Sequence, residues 1–175
     1  MTRSLPAMCA RAGLLPTNGA RVFVDIDSLL RPVYGYQKTG ASYGHAKIAG
    51  RELLRRGGLS PLIATLSAPE YPPVIANAWL RAGRAASGAG GAATMIAQTI
   101  ATARRCGAAG EITVRADAAY GSAEVMATCQ RLGATFSLVL RTNTAITRAI
   151  SAIGEDAWTQ WSIPGGRSPT PTPAR

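Results

Sequence analysis

R-V-F-V-D-I-D-S-L-L, residues 21–30, runs three apolar side chains, Val22, Phe23 and Val24, into two aspartates set two apart. The pattern is that of a strand leaving a core for a sheet edge. Residues two apart on a strand share a face, so Asp25 and Asp27 point the same way and their charges repel. A metal ion, a basic partner or water must compensate them. The spacing alone leaves all three open.

Outward from this strand, the chain reads as an ordered series of elements. Residues 1–20, interrupted by Pro6, Pro16 and Gly19, read as a poorly ordered lead-in. Residues 34–50 carry four glycines and both lysines of the protein, which suggests a loop or an irregular hairpin. Strands follow at 59–67, with Pro61 near its start, and at 73–81; short gaps make these three strands antiparallel neighbours. Past the glycine-rich 86–91 segment the period changes. Ile96, Ile100 and Ala103 recur at helical spacing, with Arg104 and Arg105 in the last turn and Gly107 as the stop. A strand at 111–117 comes next. A helix capped by Ser122 then carries Val125, Met126, Cys129 and Leu132 on one face and ends at Gly133. A strand at 135–140 and a helix marked by Ile146, Ile150 and Ile153, closed by Gly154, complete the order. Three antiparallel strands followed by helix–strand alternation predict an α/β (α+β) fold. Its right-handed crossovers give a ribonuclease-H-like mixed sheet with flanking helices. The proline-rich stretch 160–175 has no periodicity and reads as a disordered tail.

Composition bounds the function. The chain has 175 residues, enough for one domain with a core, and its 47% hydrophobic content is largely alanine, so that core is built from small side chains. Nineteen basic residues, seventeen of them arginine, against nine acidic ones give a net charge of +10. That favours a polyanionic partner, nucleic acid first, against the blander reading of a solubilising surface. No block of basic residues stands out. Cys9, Cys106 and Cys129 are odd in number and widely spaced, which argues against a disulfide framework or a thiolate metal site. The N-terminus lacks the continuous apolar run of a secretory signal. No stretch reaches the ~18 apolar residues of a spanning helix, so no membrane partner is expected and the reading is cytoplasmic.

Asp117 ends the strand I-T-V-R-A-D at its carboxyl edge, where sheets of this class place ligand-binding side chains. If that strand lies beside the first, Asp27 and Asp117 meet across ninety residues of sequence. Paired carboxylates there can hold Mg2+ or Mn2+, and two such ions about 3.5–4 Å apart serve phosphodiester chemistry. The same spacing also fits solvated strand-end aspartates, with Asp117 capping a turn.

V-F-V-D-I-D-S-L-L-R-P-V-Y-G, Q-K-T-G-A-S-Y-G-H-A-K-I-A-G, L-S-P-L, L-R-A-G and V-R-A-D-A-A-Y-G, taken in order, resemble the DDE-type transposases of bacterial insertion sequences, most nearly the insertion-sequence thirteen-eighty group. The resemblance covers roughly residues 10–159. It implies a ribonuclease-H-like catalytic domain over 21–159 that binds Mg2+ through two aspartates and a glutamate, cleaves transposon ends and joins them to target DNA. The first family aspartate precedes a small hydroxyl residue, which matches Asp27-Ser28. The second lies in an R-x-D-S-x-F/Y strand end, which matches Arg115, Asp117 and Tyr120, with Ala118 where serine is usual. Asp27 and Asp117 are thus the implied catalytic residues and metal ligands, with Asp25 as a further ligand. The third acid belongs on a helix well downstream. Glu155 and Asp156 match a non-catalytic segment, and Glu124 lies only seven residues past Asp117. After D-A-W-T (156–159) the family pattern gives way to Q-W-S-I-P-G-G, which points to a frameshift. The expectation is a truncated transposase domain, incomplete at its C-terminus and inactive alone.

Lys38, Lys47, Arg81 and Arg84 are candidate DNA phosphate contacts, and the implied location is nucleoid-associated, with an oligomer admitted for the full-length family. His45, the one histidine, has no family task, and Trp79 reads as core. Two other classes compete. V-F-V-D-I-D-S-L also resembles the nucleophile loop of haloacid-dehalogenase phosphatases, with Asp25 attacking phosphorus and Asp27 as general acid, but the downstream lysine and late acid pair of that family have no match. The third class is a non-catalytic basic nucleic-acid binder.

Overall fold

The computed structural model describes residues 4–16, 19–29, 31–34, 38–48, 51–83, 85 and 90–158, and over 43–57 the backbone alone. Residues 1–140 form one compact unit and residues 141–175 a second.

In the first unit, strands β1 (Val22–Ser28), β5 (Leu62–Ala68), β6 (Tyr71–Trp79), β7 (Ile112–Ala116) and β8 (Thr135–Leu138) build a five-stranded sheet in the order β6-β5-β1-β7-β8. β1 pairs antiparallel with β5, and β5 antiparallel with β6. β7 pairs parallel with β1, and β8 parallel with β7. This is the ribonuclease-H-like mixed sheet expected from the element order. The parallel half is connected by helices α2 (Ala92–Arg105) and α3 (Ala123–Arg131), as crossovers between parallel strands require. Ser122 caps α3 by accepting from the Val125 N–H at 3.3 Å, and Gly107 and Gly133 stop the two helices with positive φ.

One face of the sheet is buried. Val22, Val24, Ile26, Leu62, Leu66, Ile112 and Val114 pack against Met95, Ile96 and Ile100 of α2 and Val125 and Cys129 of α3. Seven alanines join this core, as the composition suggests. The other face alternates with it: Phe23, Ile63, Thr65, Thr113 and Arg115 are half-buried or exposed, and Ile75 is 46% exposed.

Three expectations need correction. Residues 4–11 of the expected lead-in form helix α1 (Ser4–Arg11), with Pro6 fully buried and Leu15 in the core. Pro6 does not break this helix because a first-turn residue has no intrahelical use for an N–H. The strand expected at 59–67 starts at Leu62, because Pro61 cannot donate to a ladder. The strand expected at 73–81 is displaced to 71–79 and contains Pro72 and Pro73, which the outermost strand of a sheet tolerates.

The segment 34–50 supplies one arm of a hairpin. β3 (Ser42–Ile48) pairs antiparallel with β4 (Arg51–Leu59), with an irregularity between Ser42 and Gly44, and β2 (Arg31–Pro32) joins β4 to make a second sheet, β2-β4-β3. No element is suggested by sequence for most of β4. Gly83 of L-R-A-G seats this small sheet, since a Cβ there would strike the carbonyl oxygens of Gly58 and Ser42.

The second unit holds helix α4 (Thr144–Ser151), capped by Asn143, whose Oδ1 accepts from the Ile146 N–H at 2.9 Å, and a 3-10 turn at Glu155–Ala157. The predicted tail at 160–175 lies outside the described residues. Among those residues no helix is long and apolar enough to cross a membrane.

The one-sided burial has a measurable consequence. Ile112→Ala removes a fully buried side chain and should cost about 2–5 kcal/mol in denaturant unfolding. Ile75→Ala, on the open face, should cost under about 1 kcal/mol. Equal losses would contradict this division of the sheet.

Candidate active site

Strands β1 and β7 run parallel with a constant offset: Val22 is opposite Ile112, Val24 opposite Val114 and Asp25 opposite Arg115. Because side chains alternate, Arg21, Phe23, Asp25 and Asp27 line the open face beside Glu111, Thr113, Arg115 and Asp117. The two charged rungs that precede the final acids are opposite in sign. Arg21 Nη2 meets Glu111 Oε2 at 2.6 Å, and the Val22 N–H donates to the Glu111 carbonyl at 2.9 Å. Further along, Arg115 Nε and Nη2 donate to Asp25 Oδ1 and Oδ2 at 2.7 and 2.8 Å.

The partner of Asp25 is therefore an arginine. Both carboxylate oxygens are engaged, Ser67 Oγ adds a long contact at 3.4 Å, and the Arg115 guanidinium lies 4.2 Å from the centroid of the Phe23 ring. The hydrogen bond to Asp25 is the main cause holding Arg115 above its ordinary pKa, against partial desolvation. The sequence expectation of Asp25 as a metal ligand is met here by a competing partner: the bidentate pair gives each oxygen of Asp25 a donor.

The paired register ends at Asp25 and Arg115; the same offset carried one same-face position further would bring Asp27 opposite Asp117, and the charges of both act on Tyr120. This rung is like-charged. Both residues are exposed. Asp27 Oδ1 accepts from the Ser28 N–H at 2.7 Å, and Asp117 Oδ1 accepts from the Ala119 N–H at 2.9 Å in a turn closed by the Tyr120 N–H on the Asp117 carbonyl at 3.1 Å. Each carboxylate thus has one oxygen fixed by backbone. Among the described residues no donor reaches the Oδ2 of either. Two hard oxygen donors on neighbouring strand ends suit a Mg2+-type cation, which retains waters for its remaining positions. Among the described residues no third His, Cys, Asp or Glu joins a cluster with them. Glu124 sits in the first turn of α3, and Glu155 and Asp156 belong to the second unit.

Behind this edge lies a polar cluster that sequence reading undervalues. Tyr120 is 1% exposed, its ring in the core and its hydroxyl beside the Ser28 side chain, without a partner in hydrogen-bonding geometry among the described residues. Burial is the main cause pushing its phenol up. Ser28 and Arg81 oppose that effect, while the charges of Asp27 and Asp117 reinforce it. Arg81 is half-buried; its Nε donates to the Ser60 carbonyl at 3.1 Å, and the Ser60 N–H returns a bond to the Arg81 carbonyl at 3.0 Å. The aromatic in V-R-A-D-A-A-Y-G was the available signal. Its depth could be learned only from the fold.

The remaining candidates are dispersed. Lys38 is exposed next to the small sheet. Lys47 stands in β3 opposite Glu52, and His45 in the same strand opposite Leu54. Arg84 lies outside the described residues. Trp79 is half-buried against the core, as expected.

The chain matches no curated protein and no solved structure. The sequence pattern of the family described as transposase DDE domain group 1 covers residues 11–164, and so takes in the whole five-stranded sheet, the small sheet and both crossover helices. With most of its length matched, the chain belongs to the DDE transposase family.

Proposed function

We propose that Asp27 and Asp117 together hold one divalent cation, Mg2+ or Mn2+, at the edge of a DNA-cleaving and DNA-joining domain. The observation that supports this reading is the β1–β7 register, which leads to Asp27 and Asp117 at adjacent strand ends, each with one oxygen tied to backbone. A bound cation would supply Lewis acidity toward a phosphodiester oxygen and toward the attacking hydroxyl. The protein's share is orientation. The Ser28 and Ala119 N–H groups fix the carboxylates, and the Arg115–Asp25 pair locks the strands one same-face position earlier. Asp25 acts here by positioning, without coordinating the ion.

The substrate in this reading is duplex DNA at the ends of insertion sequences of the thirteen-eighty group. A cytoplasmic, nucleoid-associated location follows from that partner. Two carboxylates hold one ion loosely and cannot fix a second, so the polypeptide alone should neither cleave nor join. The change of pattern after Thr159 motivates a frameshift reading, although the family match continues to residue 164. Reading the downstream DNA in all three frames tests this. A restored frame with a helical glutamate is the expected result, and its absence would remove the frameshift. The phosphatase alternative is not favoured, because its nucleophile, Asp25, has both oxygens on Arg115.

Two measurements follow. Calorimetric titration with Mn2+ should give weak binding to the wild type, about millimolar as for sites with few charged ligands. Asp27→Asn and Asp117→Asn should each abolish it. Asp25→Asn should keep metal affinity within about threefold and cost about 1 kcal/mol of stability, the scale of an exposed ion pair. If Asp25→Asn loses the metal as fully as Asp117→Asn, Asp25 is a ligand after all. For catalysis, labelled duplex carrying the transposon ends, incubated with the protein and Mn2+, should remain intact. Metal-dependent nicking that Asp27→Asn abolishes would overturn the reading of an inactive polypeptide.

A further inference from the structure

The small sheet β2-β4-β3 enters and leaves the chain at the acid-bearing edge. β1 ends at Ser28, β2 begins at Arg31, β4 ends at Leu59 and β5 begins at Leu62. Leu29 donates to the Pro61 carbonyl at 3.0 Å, and Leu59 bridges Ala82 of L-R-A-G, so the root of the hairpin is tied down beside Ser28. Residues 31–59 contain Arg31, Lys38, Lys47, Arg51, Arg55 and Arg56 against the single acid Glu52, a net +5 of the chain's +10. Strand pairing gathers charges that are spread thinly along the sequence. Glu52 is opposite Lys47, whereas Arg51 is opposite Ile48 and Arg55 opposite Gly44, so the register sets no acid against these two arginines.

We infer that the β3–β4 hairpin is a duplex-DNA-binding ribbon that lays the double helix against the Asp27–Asp117 edge. A two-stranded ribbon fits the B-DNA major groove, which is about 12 Å wide and 8.5 Å deep. Nine residues of β4 span about 30 Å, close to one turn of the duplex. Arg51 and Arg55, four apart on one strand, hold backbone positions about 13 Å apart, comparable to the width of that groove. Charge complementarity selects DNA over an apolar or basic partner. The ribbon contacts phosphate, so its contribution is independent of sequence. The inference rests on the DNA reading above and adds to it the element that does the holding.

The test is a salt series of duplex binding by fluorescence anisotropy, with a random-sequence duplex as probe. A ribbon variant carries Arg51→Gln, Arg55→Gln and Arg56→Gln. A control variant carries Arg11→Gln, Arg105→Gln and Arg131→Gln, three exposed arginines away from both the ribbon and the acids. The ribbon variant should lose at least about tenfold in affinity at low salt, and its slope of log K on log salt should shallow by about two to three, near 0.9 per lost phosphate contact. The control should change far less. Amide hydrogen exchange on the wild type, which involves no variant's folding, should show DNA-dependent protection over residues 42–59. Wild-type binding with matched losses in both variants and no protection over 42–59 overturns the ribbon and leaves the DNA reading intact. A wild type with no salt-dependent affinity for duplex overturns both.

Discussion

The parallel register between β1 and β7 is the constraint on which the rest of the site depends. The side-chain pairs across it, Arg21–Glu111 and Asp25–Arg115, join residues ninety apart, and Asp27 and Asp117 beyond the ladder share that separation. A slip of one residue would turn Asp27 onto the opposite face from Asp117. Two devices oppose that slip. The apolar alternation of Val22, Val24 and Ile26 against Ile112 and Val114 fixes the face, and the two opposite-charge rungs fix the position along the strand. Gly110 allows the strands to start side by side, since a Cβ there would strike the carbonyls of Gly19 and Ala20. Exposed ion pairs contribute little to stability, about 0–1 kcal/mol each. Their value here lies in excluding the alternative registers, which would set Asp25 or Glu111 against the wrong neighbour.

Much of this was legible because the relevant signals are local. Alternation in V-F-V-D-I-D and I-T-V-R-A-D marks two strands, Ser122 and Gly133 bracket a helix, and the order of elements sets the sheet. The two metal-binding candidates are strand-end aspartates, and strand ends are readable. The arginine partner of Asp25 was not. Choosing between an arginine and a metal as its partner needs the register between segments ninety residues apart, and Arg115 names no partner by itself. Strand β4 was hidden for a different reason. R-E-L-L-R-R-G-G-L sets Leu53 beside Leu54 and Arg55 beside Arg56, which breaks the period of two, and Gly57-Gly58 imitates a turn. Pro6 misled in the opposite direction, because a helix's first turn accommodates it.

Charge is organised on two scales in this molecule. At the edge, the rungs progress from paired to unpaired, so negative charge accumulates only at the tip, at Asp27 and Asp117. Across the small sheet, the net charge is positive. A phosphodiester approaching the acids alone would meet repulsion, and a basic ribbon without the acids would hold DNA with nothing to act upon it. Rooting the ribbon between β1 and β5 brings the opposing fields within a few residues of each other, joined by Leu29, Pro61 and the L-R-A-G segment. Arg81, bonded to Ser60 at this junction, lies where its charge is felt by Tyr120 along with those of both aspartates. The junction therefore has a mechanical and an electrostatic task at once. A cation shared by the acids would change the sign of the tip from repelling phosphate to attracting it, and DNA held by the ribbon would then be drawn toward that tip.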